Sequence, residues 1–336
     1  MEKVIQMMLE SGKVGVNLSL YTILPIMVIM MAIMNVLDKK NILSWIAKGV
    51  APLMLLFGLP GLGVFAILQI LFISFAAPVA TLKIIDQDET ISDASLAATL
   101  AAILVMAQAN AVFPLTSVGL NLPVGIATSL IGGLIASIIA FKFSKRKEAK
   151  QSKTNEDGPN EYKSDDIRSI RTVSDDSEKK LNAIEATHKK KSIIALLFEG
   201  GESGLAIVLK SIPPLIIAVF LVNVLKTVGV IGILETVLSP VLTAIGIPSV
   251  AVLPIVTKFI AGGTAMMAII LDLMKQGLMT AEELNRVAGF TLNPLDPVGL
   301  AVLVATGPRV AKVAKPAILA AVVGIIIRGI LHLIIF

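Results

Sequence analysis

Four short polar interruptions carry the residue types that could do chemistry. They are Ser74-Phe75-Ala76-Ala77-Pro78, Gln108-Ala109-Asn110 with Pro114 beyond it, Gly262-Gly263-Thr264, and Asn293-Pro294-Leu295-Asp296-Pro297. Each sets a helix-breaking residue beside an amide, a hydroxyl or a carboxylate, inside an otherwise apolar stretch. A backbone group without a partner is costly in hydrocarbon. Breaks of this kind therefore need protein or water around them, and such breaks commonly form solute sites. Ser74, Gln108, Asn110, Gly263, Thr264, Asn293 and Asp296 could hydrogen-bond a polar solute or coordinate a cation through oxygens. Two other readings stand beside this one. Small residues such as Ser74, Thr264 and the glycines also let helices pack closely, and Asn110 and Asn293 could bond between helices with no solute present.

Lys258 and Asp296 are the sharper pair. Lys258 lies about eight residues into an apolar run, and Asp296 sits in mid-run beside two prolines. Ionisable groups at such depth are expensive and point to function by default. If their helices adjoin, the two could pair, and protonation of Asp296 could couple transport to a proton gradient. A structural ion pair, or a Lys258 reaching to the interface, is the plainer alternative.

The elements that must hold these groups follow from composition. The chain has 336 residues, 55% of them hydrophobic and 16% charged, where a soluble domain has about 25% charged. Mean hydropathy is +0.87. Between residues 142 and 191 lie 14 of the 29 Lys+Arg and 10 of the 24 Asp+Glu. What remains is a series of nearly uncharged runs of membrane-spanning length. The net charge of +5 fits membrane orientation rather than nucleic-acid binding, since aromatics make up only 4% and interleave with no basic patch. Cysteine is absent, which excludes disulfides and thiolate metal sites. His188 and His332 are too isolated for a triad or a metal cluster, and no phosphate-binding glycine loop occurs, so no enzyme signature is present. Asp86, Asp88, Glu89 and Asp93 form an acidic loop that could loosely hold a cation but reads more simply as solvated. The first residues lack the pattern of a cleaved signal peptide, and the first span is expected to be retained.

The runs fall at 16–37, 42–57, 62–85, 94–113 and 121–143, then at 211–230, 231–246, 250–273, 287–305 and 315–336. The charged stretch at 144–192 reads as a cytoplasmic linker that cannot fold alone, between membrane repeats at 1–143 and 193–336. The halves align at an offset of 188: Pro25 meets Pro213, Asn35-Val36-Leu37 meets Asn223-Val224-Leu225, Pro52 meets Pro240, Gly58 meets Gly246 and Pro60 meets Pro248. At an offset of 183, Asn110 and Pro114 meet Asn293 and Pro297. The matches are geometry-setting residues, so duplication is the simplest source. Five spans per half would make the repeats inverted and place Lys39-Lys40 and Arg309-Lys312-Lys315 inside with the linker, as the positive-inside rule favours. Four per half would make them parallel. The segments at 42–57 and 231–246 are short and proline-broken, and could instead lie at the interface or be re-entrant. The expected fold is thus an all-α polytopic membrane protein of about 8–10 spans with broken or re-entrant segments.

Leu238-Ser239-Pro240-Val241-Leu242, Gly246-Ile247-Pro248, Leu253-Pro254 and Gly262-Gly263-Thr264-Ala265-Met266 resemble the nucleoside-recognition, or Gate, domain family, and especially spore maturation proteins A and B. Ala51-Pro52-Leu53 and Gly58-Leu59-Pro60 carry the first-half match. Gate domains also occur in concentrative nucleoside transporters and in the membrane domain of the ferrous-iron transporter B. The resemblance implies an α-helical membrane fold with two Gate-like halves and passage of a solute, without fixing which one.

The function expected is a permease of the inner or plasma membrane for a small polar solute, nucleoside-like and cation- or proton-coupled, with no resident cofactor or metal. The solute would sit between the halves near Ser74, Gln108, Asn110, Lys258, Gly263, Thr264, Asn293 and Asp296, and one half would move against the other. The bilayer, the solute and further copies of the chain are the expected partners, and nucleic acid is not. A non-transporting membrane scaffold, with the linker as its partner-binding piece, is the rival expectation.

Overall fold

The computed structural model describes residues 2–154 and 192–336. Most of the expected linker, 155–191, lies outside the described residues. Within them the chain is helical throughout, with no strand. The first half begins with α1 (Glu2–Asn17) and α2 (Leu24–Lys39), joined through a π-helical turn at Leu18–Ile23 into one long rod. Pro25 follows that turn and has no N–H to give the preceding turn, which is where a helical ladder widens. Then come α3 (Ile42–Met54), α4 (Gly61–Phe72), α5 (Pro78–Gln87), α6 (Asp93–Val105), α7 (Ala109–Thr116) and α8 (Leu122–Thr154). The second half repeats the order with α9 (Ile193–Thr227), α10 (Val230–Ala244), α11 (Val252–Lys275), α12 (Ala281–Thr291), α13 (Pro297–Val304) and α14 (Pro308–Ile335).

Six helices are long and apolar enough to cross a membrane, or seven if the bent pair α3–α4, which turns through 112°, counts as one span. Several apolar runs, two of these six included, are broken or doubled back. In the run read as a span at 62–85, Thr81 Oγ1 donates to Gln69 Oε1 at 2.7 Å. A straight helix would hold these residues about 18 Å apart, so α4 and α5 form a hairpin whose tip is the first polar break. The α11 helix does the same. The turn that leads into it is tied to α12, the Gly246 carbonyl accepting from Arg286 Nε at 2.8 Å, and its far end runs within six residues into Ala281, so both flanks of the helix lie beside the first turns of α12. A straight helix of 24 residues would be about 36 Å long. The reversal falls at Gly262, whose φ of +84° and ψ of 175° only glycine adopts without strain.

The halves are inverted and interleaved. Asn35 Nδ2 donates to the Leu196 carbonyl at 2.7 Å, and its repeat partner Asn223 donates to Ser11 Oγ at 3.0 Å. The end of the first rod therefore lies against the start of α9, and its start against the end of α9. Equivalent helices run antiparallel, as a two-fold axis in the membrane plane requires. The same axis passes between α8 and α14. A Cβ on Gly132 would stand 2.6 Å from the Gly324 carbonyl oxygen, and one on Gly324 would stand 2.5 Å from that of Gly132. Only glycines allow the two backbones to cross this closely. The expected movement of one sequence half against the other does not suit this arrangement, because each half's long helices pack on their counterparts in the other.

Around the second crossing, α6 and α12 complete a core. From Leu96 to Val105 the α6 helix is buried on every side, as a central helix should be; Ser92 caps it by accepting from Ser95 N. Thr280 and Glu283 form a capping box at the start of α12. Asn285 reaches from α12 to the Gly119 carbonyl and to the Asn121 N–H, and His332 on α14 lies between Thr128 and the Asn285 carbonyl. In the acidic loop Asp86 and Asp88 are buried rather than solvated, while Glu89 stays exposed. Arg309, at the start of α14, donates to Asp93 Oδ1 and to the carbonyls of Ile85, Asp86, Asp88 and Ile91, while Asp86 accepts from Val310 N. Lys312 closes on the other Asp93 oxygen at 2.8 Å.

The glycine crossing sets a prediction. Gly132→Ala forces a methyl into a backbone carbonyl with nothing flexible to yield, and should lower stability by about 2–3 kcal/mol. Gly232→Ala on α10, where a Cβ meets nothing within 4 Å, should be neutral or gain up to about 1 kcal/mol from helix propensity. Thermal melts of the purified protein in detergent compare the two, and equal losses would rule out the crossing as the reason.

Candidate functional site

The four polar breaks converge on one cavity of about 200 Å³. The hairpin tip gives Phe75; the α6–α7 break gives Gln108 and Asn110; the α11 reversal gives residues 261–265; the α12–α13 break gives Asp296, Val298 and Gly299. The remaining wall is Ser211, Pro214 and Leu215 of α9. Both repeats therefore contribute, and one long helix closes the side.

Five of the eight residues singled out from sequence line the cavity: Gln108, Asn110, Gly263, Thr264 and Asp296. Ser74, Lys258 and Asn293 are buried just behind it. Asn110 has its amide oxygen committed to Phe75 N at 3.2 Å, which ties the hairpin tip to the first broken helix. Gly263 keeps the wall thin, since a Cβ there would sit 3.5 Å from Gln108 Nε2 and 3.9 Å from Asp296 Oδ2. Gln108 stands at the N-cap of α7 but makes no capping bond with its side chain. Its amide faces the cavity uncommitted, whereas Ser211 Oγ is taken up by the Val208 carbonyl.

Asp296 is the N-cap of α13. One carboxylate oxygen accepts from Gly299 N at 2.8 Å, and the other lies 3.5 Å from Lys258 Nζ. An acid at this position answers the positive end of the half-helix. Lys258 Nζ also donates to the Asn293 carbonyl at 2.5 Å and approaches Asn293 Oδ1 at 3.3 Å. Asn293 in turn accepts from Leu295 N and donates to the Phe290 carbonyl. The expected pair of Lys258 and Asp296 thus exists, with side chains only 2% and 3% exposed, and it is built into the break rather than reaching the interface. Asn293 is its organiser. The arrangement puts amide-, hydroxyl- and carboxylate-bearing residues in the cavity wall, which is hydrogen-bonding chemistry for a small polar molecule.

Sequence reasoning missed the α9 wall. Ser211-Ile212-Pro213-Pro214 was the available signal, a hydroxyl beside two helix-perturbing residues in an apolar run. It also missed Arg328, a lone charge in the last apolar run, which is fully buried.

Comparison with known proteins shows the fold. The transporter CNTnw in an inward-facing substrate-bound state superposes with a TM-score of 0.63 at 16% identity, covering 93% of this chain and 73% of that one. A doubly substituted variant of CNTnw in an outward-facing state gives 0.64 at 17%, over 93% and 74%. A singly substituted variant in the intermediate 2 state gives 0.64 at 15%, over 93% and 75%. No family model matches the chain, and neither does any curated protein sequence. The chain is a multi-pass α-helical membrane protein with the fold of these structures.

A buried ion pair predicts non-additivity. Asp296→Asn strands an ammonium and Lys258→Met strands a carboxylate, so each should destabilise by about 3–5 kcal/mol. The double variant should fall well short of the sum. Melting temperatures of the four proteins test it, and additive losses would mean that the two charges act independently.

Proposed function

We propose that the protein is a membrane transporter for a small polar solute held where the four breaks meet. One observation carries this reading: a cavity lined by breaks from both repeats, with the polar residues Gln108, Asn110, Thr264 and Asp296 in its wall. A structural core has no reason to collect such groups in hydrocarbon. The volume lies below the ~300–1,000 Å³ of drug-sized pockets, which suits a small solute. The nucleoside-like part of the proposal rests on the resemblance of the stretch around Pro240 to Thr264 to Gate domains and on the likeness to CNTnw.

Access would alternate between two bodies that differ from the two sequence halves. The rods α1–α2 and α9 form one; the hairpins, broken helices, α8 and α14 form the other. The cavity wall runs between them, with Ser211 and Leu215 on the rod side. The charge pattern supports a cell-membrane protein with residues 155–191 cytoplasmic. Treating 42–57 and 62–85 as an interfacial helix and a hairpin removes two crossings from the first half. Sidedness is therefore preserved, with Lys39, Lys40, Arg309 and Lys312 on the linker side.

Differential scanning of the purified protein against nucleosides, nucleobases, amino acids and organic acids tests the proposal. A bound solute raises the melting temperature by mass action. Gln108→Ala should leave the unliganded melting temperature close to wild type, because the amide makes no bond to lose, and should weaken the solute-induced shift by roughly tenfold in concentration, as expected for one or two lost hydrogen bonds. No stabilising solute across the panel, or an undiminished shift in the variant, would sink the placement of the site.

A further inference from the structure

Arg328 is a cation of α14 that neither the cavity nor the acidic loop uses. It is fully buried, and among the described residues no carboxylate pairs with it. Its Nη1 donates to two backbone oxygens, Val105 at 3.0 Å and Leu292 at 2.7 Å. Val105 is the last residue of α6, and Leu292 is the C-cap of α12. These are the equivalent ends of the two broken helices, so a single nitrogen spans both breaks. Among the described residues, Nε and Nη2 have no hydrogen-bond partner.

Each of these helix ends has carbonyls without an intrahelical partner and carries about half a negative charge. Two such ends side by side in hydrocarbon present about one negative charge, with oxygens suited to a cation. Half-helix C-termini of this type coordinate coupling cations in membrane transporters. Here a guanidinium already occupies the position. At the neighbouring carbonyl of the second break, Asn293, the ammonium of Lys258 does the same.

The two-fold axis shows why one arginine serves both ends. A Cβ on Gly132 would stand 3.2 Å from Arg328 Cβ, and one on Gly324 would stand 3.0 Å from Ala136 Cβ. Ala136 is therefore the counterpart of Arg328 in the first half. It is fully buried and small, which leaves the space between the breaks to a single side chain.

We propose that Arg328 is a resident cation, holding the C-terminal ends of both broken helices in place of a mobile coupling ion, so that the site is organised without Na⁺. The proposal rests on the transporter reading for its meaning, but its test does not need a solute. Wild type, Arg328→Lys and Arg328→Met are melted in NaCl and in choline chloride at equal ionic strength. Lysine keeps the charge, whereas methionine keeps the bulk without it. Wild type should melt at the same temperature in both salts. Arg328→Lys should stay close to wild type, while Arg328→Met should fall by roughly 5–10 °C or fail to fold. A melting temperature raised specifically by Na⁺ in wild type overturns the proposal. So does Arg328→Met behaving as wild type, or Arg328→Lys failing as badly as Arg328→Met, which would make the role one of shape. If the solute panel yields nothing while the variants behave as expected, the placement of the solute site fails and the resident cation stands.

Discussion

A helix stopped in mid-membrane exposes carbonyls or N–H groups to a medium that cannot solvate them. The rest of this structure follows from how those ends are answered. The N-terminal end of α13 is answered by Asp296, the C-terminal end of α12 by Arg328 and Lys258, and that of α6 by Arg328. The α7 end is left with the uncommitted amide of Gln108. The cavity is lined by groups already used in this internal pairing, Asp296 and Asn110, together with the uncommitted amide of Gln108. The same residues that make the breaks stable thus shape the site.

The supporting frame has the same logic. Two antiparallel contacts, rod on rod and α8 on α14, are closed by groups that need no hydrophobic drive: asparagine amides at one, facing glycines at the other. Outside the core, Arg309 gathers the loop after the hairpin onto α14, so that the hairpin, α6 and α14 are tied together at their shared end.

Much of this was legible because prolines, glycines and asparagines are conspicuous in apolar runs. They disclosed the duplication, all four breaks and five of the cavity residues. The hairpins were not legible. A span and a doubled-back segment share length and composition, and only a contact such as Thr81 with Gln69 separates them. Ser211 was obscured because α9 begins at Ile193 and carries Glu199, Glu202 and Lys210 through its first turns, where composition suggested no span. The acidic loop misled because its partner, Arg309, is more than 200 residues away.

The unlike pair of Ala136 and Arg328 has an evolutionary consequence. Inverted halves of this kind can descend from one short polypeptide that inserted in both orientations and paired with itself. In such a homodimer these two positions would have carried the same residue. Two arginines would have set like charges against each other at the axis, and two alanines would have left both helix ends bare. A lone guanidinium at the axis requires two copies that differ in sequence, as the two halves of this chain do. Two unlike halves in one chain can thus do what a symmetric pair cannot: hold an asymmetric charge on the axis.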